Sequence, residues 1–225
     1  MKKFNVVSCA AAAALAGIGA PVSANTITLS DNGVHYFDST IAQINLRNAT
    51  TLHVDEPANI TTTLDATNQT MTHFNGGSIR WIFLWHQAAL EMLGGSNEEL
   101  YVNNRSTADI RGGSVGEVFT YSSSVVDIRG GDIGAMRLHG SSTINIYGME
   151  DLELRPLVPL LNYIRYKLVG TLQDGSPIDA WVWLDGSSGA SPELNLIIQV
   201  IPLPGPAGMG LAGLGALCAV RRRRG

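Results

Sequence analysis

Asp109 and Arg111 return as Asp127 and Arg129 at a step of 18, inside the segments ADIRGGSVGEV (108–118) and VDIRGGDIGAM (126–136). Carboxylates and guanidinium groups at a fixed spacing can ligate calcium, serve as acid and base on a substrate, or neutralise one another in solvent. The neighbouring positions discriminate among these uses. Regular calcium arrays of the form Gly-Gly-x-Gly-x-Asp supply one carboxylate every nine residues. Here Gly-Gly occurs once per 18, and the nearest match, Gly112 to Glu117, is one residue out of step. The next repeat carries Ala135 where Glu117 stands. No metal site is therefore expected.

The full column reads His73, Glu91, Asp109, Asp127, Asn145, flanked by Asn75, Leu93, Arg111, Arg129, Tyr147. Polysaccharide lyases built on β-helices use carboxylates and basic residues on one face. In this chain, however, the spacing brings Asp109 beside Asp127 and Arg111 beside Arg129, with diagonal Asp–Arg pairs about 7 Å apart to relieve the like charges. The expectation is a solvated charge ladder with no catalytic residue and no cofactor. A polysaccharide-degrading enzyme is the less favoured alternative.

A second set of side chains is aromatic: Trp81, Phe83, Trp85, Tyr101, Phe119 and Tyr121. If Ile82, Leu84, Leu100, Val102, Val118 and Thr120 face inward, these six rings face outward on three successive repeats. Rings edged by Glu99, Glu117 and Arg137 can stack on the apolar faces of sugars, which makes them the candidate ligand-binding residues. The competing expectation is that a C-terminal unit carrying Trp181 and Trp183 covers them as a second core, or that the register of 78–90 is reversed. Ice binding is not expected, because the Thr-x-Thr pairs (Thr26/Thr28, Thr61/Thr63, Thr70/Thr72) do not recur at 18.

The elements that carry these columns follow from the period. Glycine recurs at 76, 94, 112, 130 and 148. Apolar Phe74, Met92, Ile110, Ile128 and Ile146 stand two positions before each. Within a unit the alternation has period two, the mark of a strand rather than a helix. Units of 18 with Gly-Gly corners and serine-rich turns predict an all-β parallel β-solenoid over 25–152. About six coils at ~4.8 Å would make a stack roughly 29 Å long. After Gly148 the repeat stops. Tyr163–Thr171, Ile178–Leu184 and Leu194–Ile201 read as strands, with turns at Asp174-Gly175 and Asp185-Gly186. They predict a small antiparallel β cap over 153–200, and residues 25–43 are expected to cap the other end.

The ends of the chain carry addresses. Residues 1–24 have the form of a signal peptide: Lys2 and Lys3, an apolar run to Ala20, and a small-x-small site with cleavage after Ala24. Lipidation at Cys9 is the alternative. The segment IPLPGPAGMGLAGLGALCAVRRRRG (201–225) joins a proline-rich spacer, an apolar run from Ala207 to Val220 and four arginines. The run would be about 21 Å as a helix, short for a ~30 Å hydrocarbon core. The arginines would hold its end on the cytoplasmic side.

This order resembles the PEP-CTERM sorting signal of bacterial exported proteins, closest to its Val-Pro-Leu-Pro variants. Pro202, Leu203, Pro204 and Arg221, Arg222, Arg223 and Arg224 carry the match, with Leu203 replacing the Glu of the commonest form. The resemblance implies signal peptidase and a membrane-bound exosortase as partners in maturation. It also implies transient membrane insertion through a transmembrane helix and delivery to the cell surface or extracellular matrix, with exopolysaccharide as a candidate partner. A permanent C-terminal anchor is the alternative.

Trimming both ends leaves positions 25–200, with nine basic and nineteen acidic side chains and a net charge near −10 instead of −4. That balance excludes a nucleic-acid surface. Cys9 and Cys218 both lie in the trimmed ends, so the body has neither disulfide nor thiolate chemistry. Four Asn-x-Ser/Thr sequons (Asn48, Asn59, Asn68, Asn104) fit chance in an Asn/Thr-rich chain. The resulting expectation is an exported, non-catalytic structural or adhesive solenoid, with a carbohydrate-binding module as the alternative.

Overall fold

The computed structural model describes residues 25–157, 163–185 and 196–200. The chain is an all-β parallel β-solenoid of about seven turns with a spacing near 18 residues. Each turn contributes one strand to each of two facing sheets. The first sheet stacks β1 (Thr26–Leu29), β3 (Thr40–Leu46), β5 (Asn59–Ala66), β7 (Ser78–Leu84), β9 (Ser96–Val102), β11 (Ser114–Thr120) and β13 (Asp132–Leu138). The second stacks β2 (Val34–Phe37), β4 (Thr51–Val54), β6 (Met71–Phe74), β8 (Ala89–Met92), β10 (Thr107–Ile110), β12 (Val125–Ile128) and β14 (Thr143–Gly148). All these neighbours pair in parallel.

The core lies between the sheets and is built from columns of like residues. Ile82, Leu100, Val118 and Met136 form one column, and Leu84, Val102, Thr120 and Leu138 the next, all buried. Phe74, Met92, Ile110, Ile128 and Ile146 form a facing column from the second sheet, also fully buried. One pair of core hydroxyls meets across coils: Thr120 lies 2.8 Å from the Ser142 hydroxyl. Asn97 stands in a column of aliphatics and donates to the carbonyls of Ile79 and Arg80.

The Gly-Gly corners are explained at Gly112-Gly113. Gly113 has φ of +85°, a conformation that an L side chain adopts only with strain. A Cβ on Gly112 would sit 2.6 Å from the Leu93 carbonyl oxygen of the coil below. One glycine allows the bend and the other allows adjacent coils to touch. The opposite corner uses Asn32, Asn48, Asn68, His86, Asn104 and Ser122, each at φ between 57° and 66°. Asn tolerates this region better than most residues.

Both end units differ from the sequence expectation. Residues 25–43 do not form a separate cap: β1 pairs in parallel with β3, and β2 with β4, so they make the first coil. Gln43 lies a step of 17 after Thr26, and the next step lengthens from 19 at Thr40–Asn59 to 20 at Gln43–Thr63, where β5 carries an extra residue that shifts its register. This irregularity hid the first coil from a template of constant period.

At the other end, β15 (Glu153–Pro156), β16 (Tyr163–Thr171) and β17 (Pro177–Asp185) form an antiparallel meander, its last two strands joined through the Asp174-Gly175 turn. However, β17 pairs in parallel with β13, and β18 (Leu196–Val200) pairs in parallel with β14 rather than with the meander. The last unit thus prolongs both sheets as well as ending them. Leu168, Leu172, Ile178 and Ala180 bury against the end of the core. Gly186 of the second expected turn lies outside the described residues, as do residues 1–24, expected to be a signal peptide, and the C-terminal segment 201–225. Among the described residues no helix is long and apolar enough to cross a membrane.

Candidate functional site

The two outer faces hold the side chains singled out above. On the second sheet, Glu91, Asp109, Asp127 and Asn145 stand side by side in register, as their spacing requires. The diagonal pairs form: Arg111 reaches Glu91 at 3.2 Å and Arg129 reaches Asp109 at 3.2 Å. Pairs within one strand also form, Arg111 with Asp109 at 2.7 Å and Arg129 with Asp127 at 3.2 Å. Asn145 donates to Asp127 at 2.7 Å, and Arg129 lies over the Tyr147 ring at 3.8 Å. Every carboxylate of the column therefore has a charged or amide partner. The guanidinium of Arg111 is held above its ordinary pKa first by its hydrogen bond with Asp109 and then by that carboxylate's charge.

The column continues toward the first coil as aromatics. His73 sits 3.0 Å from Glu91, His53 stacks on His73 at 4.5 Å, and Tyr36 stacks on His53 at 4.8 Å. Desolvation, followed by repulsion from His73, lowers the pKa of His53 below the usual imidazole value. A depression of about 310 Å³ on this face is lined by Glu91, Asp109, Arg111 and Asp127 among others. Its ionic groups are the ones already paired. Among the described residues, no three His, Cys, Asp or Glu gather closely enough to hold a metal ion.

The first sheet carries the aromatic set with the register predicted from the inward columns. Phe83, Tyr101 and Phe119 form a continuous stack, 4.5 Å and 4.6 Å between centroids, with planes within 12° and 5°. Arg137 extends it, 5.3 Å from the Phe119 ring and 4.6 Å from the Trp183 ring. Trp85 lies parallel to Phe83 within 7°, at 6.4 Å. Tyr121 stacks on His139 at 4.8 Å, and His139 is 3.1 Å from Asp185. Trp81 sits apart from the stack, under the Arg80 guanidinium at 4.4 Å.

The polar groups beside the stack are also engaged. The Tyr101 hydroxyl donates to Glu99 at 2.6 Å, and Glu117 bonds Arg137. Burial first, and then the Glu99 hydrogen bond, push the Tyr101 phenol up to about 12. The meander β15–β17 extends the edge of this sheet, and Trp181 and Trp183 pair in register with Ala135 and Arg137. Among the described residues the C-terminal unit adds to the ring row instead of lying over it.

This geometry changes what the rings can do. Strands about 4.8 Å apart bring flat rings to contact distance, so each inner ring spends both faces on its neighbours and shows solvent an edge. A sugar needs a free ring face. The six rings are assembled on one side of the rod, but Tyr101 is stacked on both faces, Phe83 on one, and Phe119 lies between Tyr101 and the Arg137 guanidinium. Sequence reasoning missed Tyr36, His53, His139 and Trp183 as members of these rows. The step of 18 from Tyr121 to His139 was readable; the step of 20 from His53 to His73 was not. The chain matches no family model, no curated protein and no solved structure, so its geometry carries the functional reading.

Proposed function

We propose that this chain is an exported, surface- or matrix-directed structural or adhesive solenoid that performs no catalysis. The observation that carries the reading is the lateral closure of both outer faces. The carboxylates and guanidinium groups of the ladder and the rings of Phe83, Tyr101 and Phe119, which would otherwise serve a substrate, are engaged by residues on their own strand or on the coils above and below. Such contacts lock neighbouring coils together, and their product is a rod with two long ordered faces. Export rests on the sequence of the two ends: cleavage after Ala24, and a tail whose Pro202, Leu203, Pro204 and four arginines resemble an exosortase signal. Signal peptidase and exosortase would be its partners in maturation.

The test is delivery. A chain lacking 201–225 is expected to lose retention at the cell surface and to appear in the medium or remain in the envelope unsorted. Unchanged surface retention of the truncated chain would overturn the sorting role. Incubation with acidic and neutral exopolysaccharides is expected to release no shorter chains; depolymerisation would overturn the non-catalytic part.

A second reading, a carbohydrate-binding module, has one observation in its favour. Trp85 keeps 36% of its surface exposed, at the end of the ring set where the stack is interrupted.

A further inference from the structure

The ring row is not continuous, and its break is one coil high. The column that holds Trp85 continues on the next two coils as Asn103 and Tyr121, at successive steps of 18. Asn103 is short and only 8% exposed, and its amide donates to the Leu84 carbonyl in the wall of the rod. On the preceding coil the same column holds Thr67, also turned in, with its hydroxyl donating to the Leu46 carbonyl. No ring from an adjacent coil therefore backs Trp85, in contrast to Phe83, Tyr101 and Phe119. Two strand spacings separate Trp85 from Tyr121, about 9.6 Å along the rod. That distance accommodates one flat ring between the two, at about 4.5–5 Å from each.

The border of this gap is polar. Asn104 and Arg105 follow it at the corner; the Asn104 side chain makes no hydrogen bond and Arg105 no ion pair among the described residues. On the preceding coils the corner opens into a depression of about 590 Å³ lined by Asn32, Asn48, Asn68, Gln69, His86 and Gln87. Asn68 and His86 there have side-chain hydrogen-bonding groups unused among the described residues. A ring with apolar faces and a hydroxylated rim satisfies both parts of such a site: faces to the aromatic wall, hydroxyls to the amides. We propose that the gap over Asn103, walled by Trp85 and Tyr121, is a binding site for one pyranose ring of a glycan chain, with the chain continuing along the amide-lined corner. This rests on the carbohydrate-binding reading and gives it a location different from the closed stack. Arg105 adds a preference for a ring bearing a carboxylate.

The test uses the full-length chain on an array of neutral and uronic-acid pyranose oligomers, followed by calorimetry with an oligomer that binds. Trp85→Ala is expected to weaken binding at least tenfold, and Trp85→Phe to weaken it less. Asn103→Phe, which fills the gap with a ring, is expected to block binding while the far-ultraviolet circular dichroism and melting temperature stay near wild type. Arg105→Ala is expected to weaken acidic oligomers more than neutral ones. Trp181→Ala, on an exposed ring outside the gap, is expected to leave affinity unchanged. Oligomer binding that survives both Trp85→Ala and Asn103→Phe would overturn the site and leave the carbohydrate reading standing. Absence of binding to every pyranose oligomer would overturn both.

Discussion

Tyr101 is the middle rung of the ring stack, and its removal measures how far the outer face holds the rod together. Replacing it by Val keeps a strand-forming residue but deletes two stacked contacts, to Phe83 at 4.5 Å and to Phe119 at 4.6 Å. Aromatic pairs contribute about 0.5–1.5 kcal/mol each beyond area burial, so the two contacts together are worth roughly 1–3 kcal/mol. The lost hydrogen bond to Glu99 adds to this. The discriminating assay is a double-mutant cycle by urea denaturation. Tyr101→Val and Phe119→Val are expected to couple by about 1 kcal/mol, because they touch. Phe83→Val and Phe119→Val, separated by a rung, are expected to couple by less than about 0.5 kcal/mol. Equal coupling in the two cycles, or none in the first, would refute the claim that the faces are spent on neighbouring rungs.

Gly113→Ala combines a φ of +85° with a Cβ 2.7 Å from the Gly95 carbonyl oxygen, whereas Gly175→Ala has φ of +88° and open space around it. In urea denaturation the first is expected to destabilise the fold severely and the second by the strain alone, about 1–2 kcal/mol. The Tyr101 phenol, raised to about 12, binds its proton more tightly folded than unfolded. It therefore contributes stability below pH ~10 that is lost as pH rises toward 12, and ultraviolet titration should show one phenol ionising late. Glu99→Gln should bring that ionisation down. His53 has a lowered pKa, so its contribution is complete above pH ~6.5 and falls as the solution is acidified below it. Acid denaturation of His53→Phe, which keeps a ring between Tyr36 and His73, is expected to begin at lower pH than in the wild type. Leu100→Ala, in a fully buried column, is expected to cost about 2–5 kcal/mol in urea denaturation.

The fold was largely legible because a solenoid writes its core in columns. Ile82, Leu100, Val118 and Met136 announce the inward face by type and spacing, and the outward position of Trp81, Phe83 and Tyr101 follows by alternation. Register also follows from spacing, so the Asp109–Asp127 and Arg111–Arg129 neighbours were readable. The first coil was not, since its own step of 17 and the extra residue in β5 both broke the period around it. Nor was the destination of β18, because parallel addition to β14 depends on where the meander leaves the chain, not on a local pattern.

For the candidate site, the sequence names the rings but not their planes. Whether a ring shows solvent its face or its edge is decided by what stands one repeat away. Tyr101 is backed by Phe83 and Phe119 and closes; Trp85 is backed by Thr67 and Asn103 and does not. The relevant signal was a small residue interrupting an aromatic column. It is visible in the sequence only after the columns have been aligned. The charge ladder had a similar limit. Diagonal pairs follow from strand spacing, but the pairs within one strand, Arg111 with Asp109 and Arg129 with Asp127, depend on side-chain bending along the strand.

The central claim, a solenoid delivered to the outside and held there by a processed tail, is tested most directly by mass spectrometry of the native protein recovered from the cell-surface fraction. The expected species begins at Asn25 and lacks Arg221 to Arg224. A surface-recovered chain that retains Arg221 to Arg224 would overturn processing of the tail, and one that retains Met1 would overturn cleavage after Ala24.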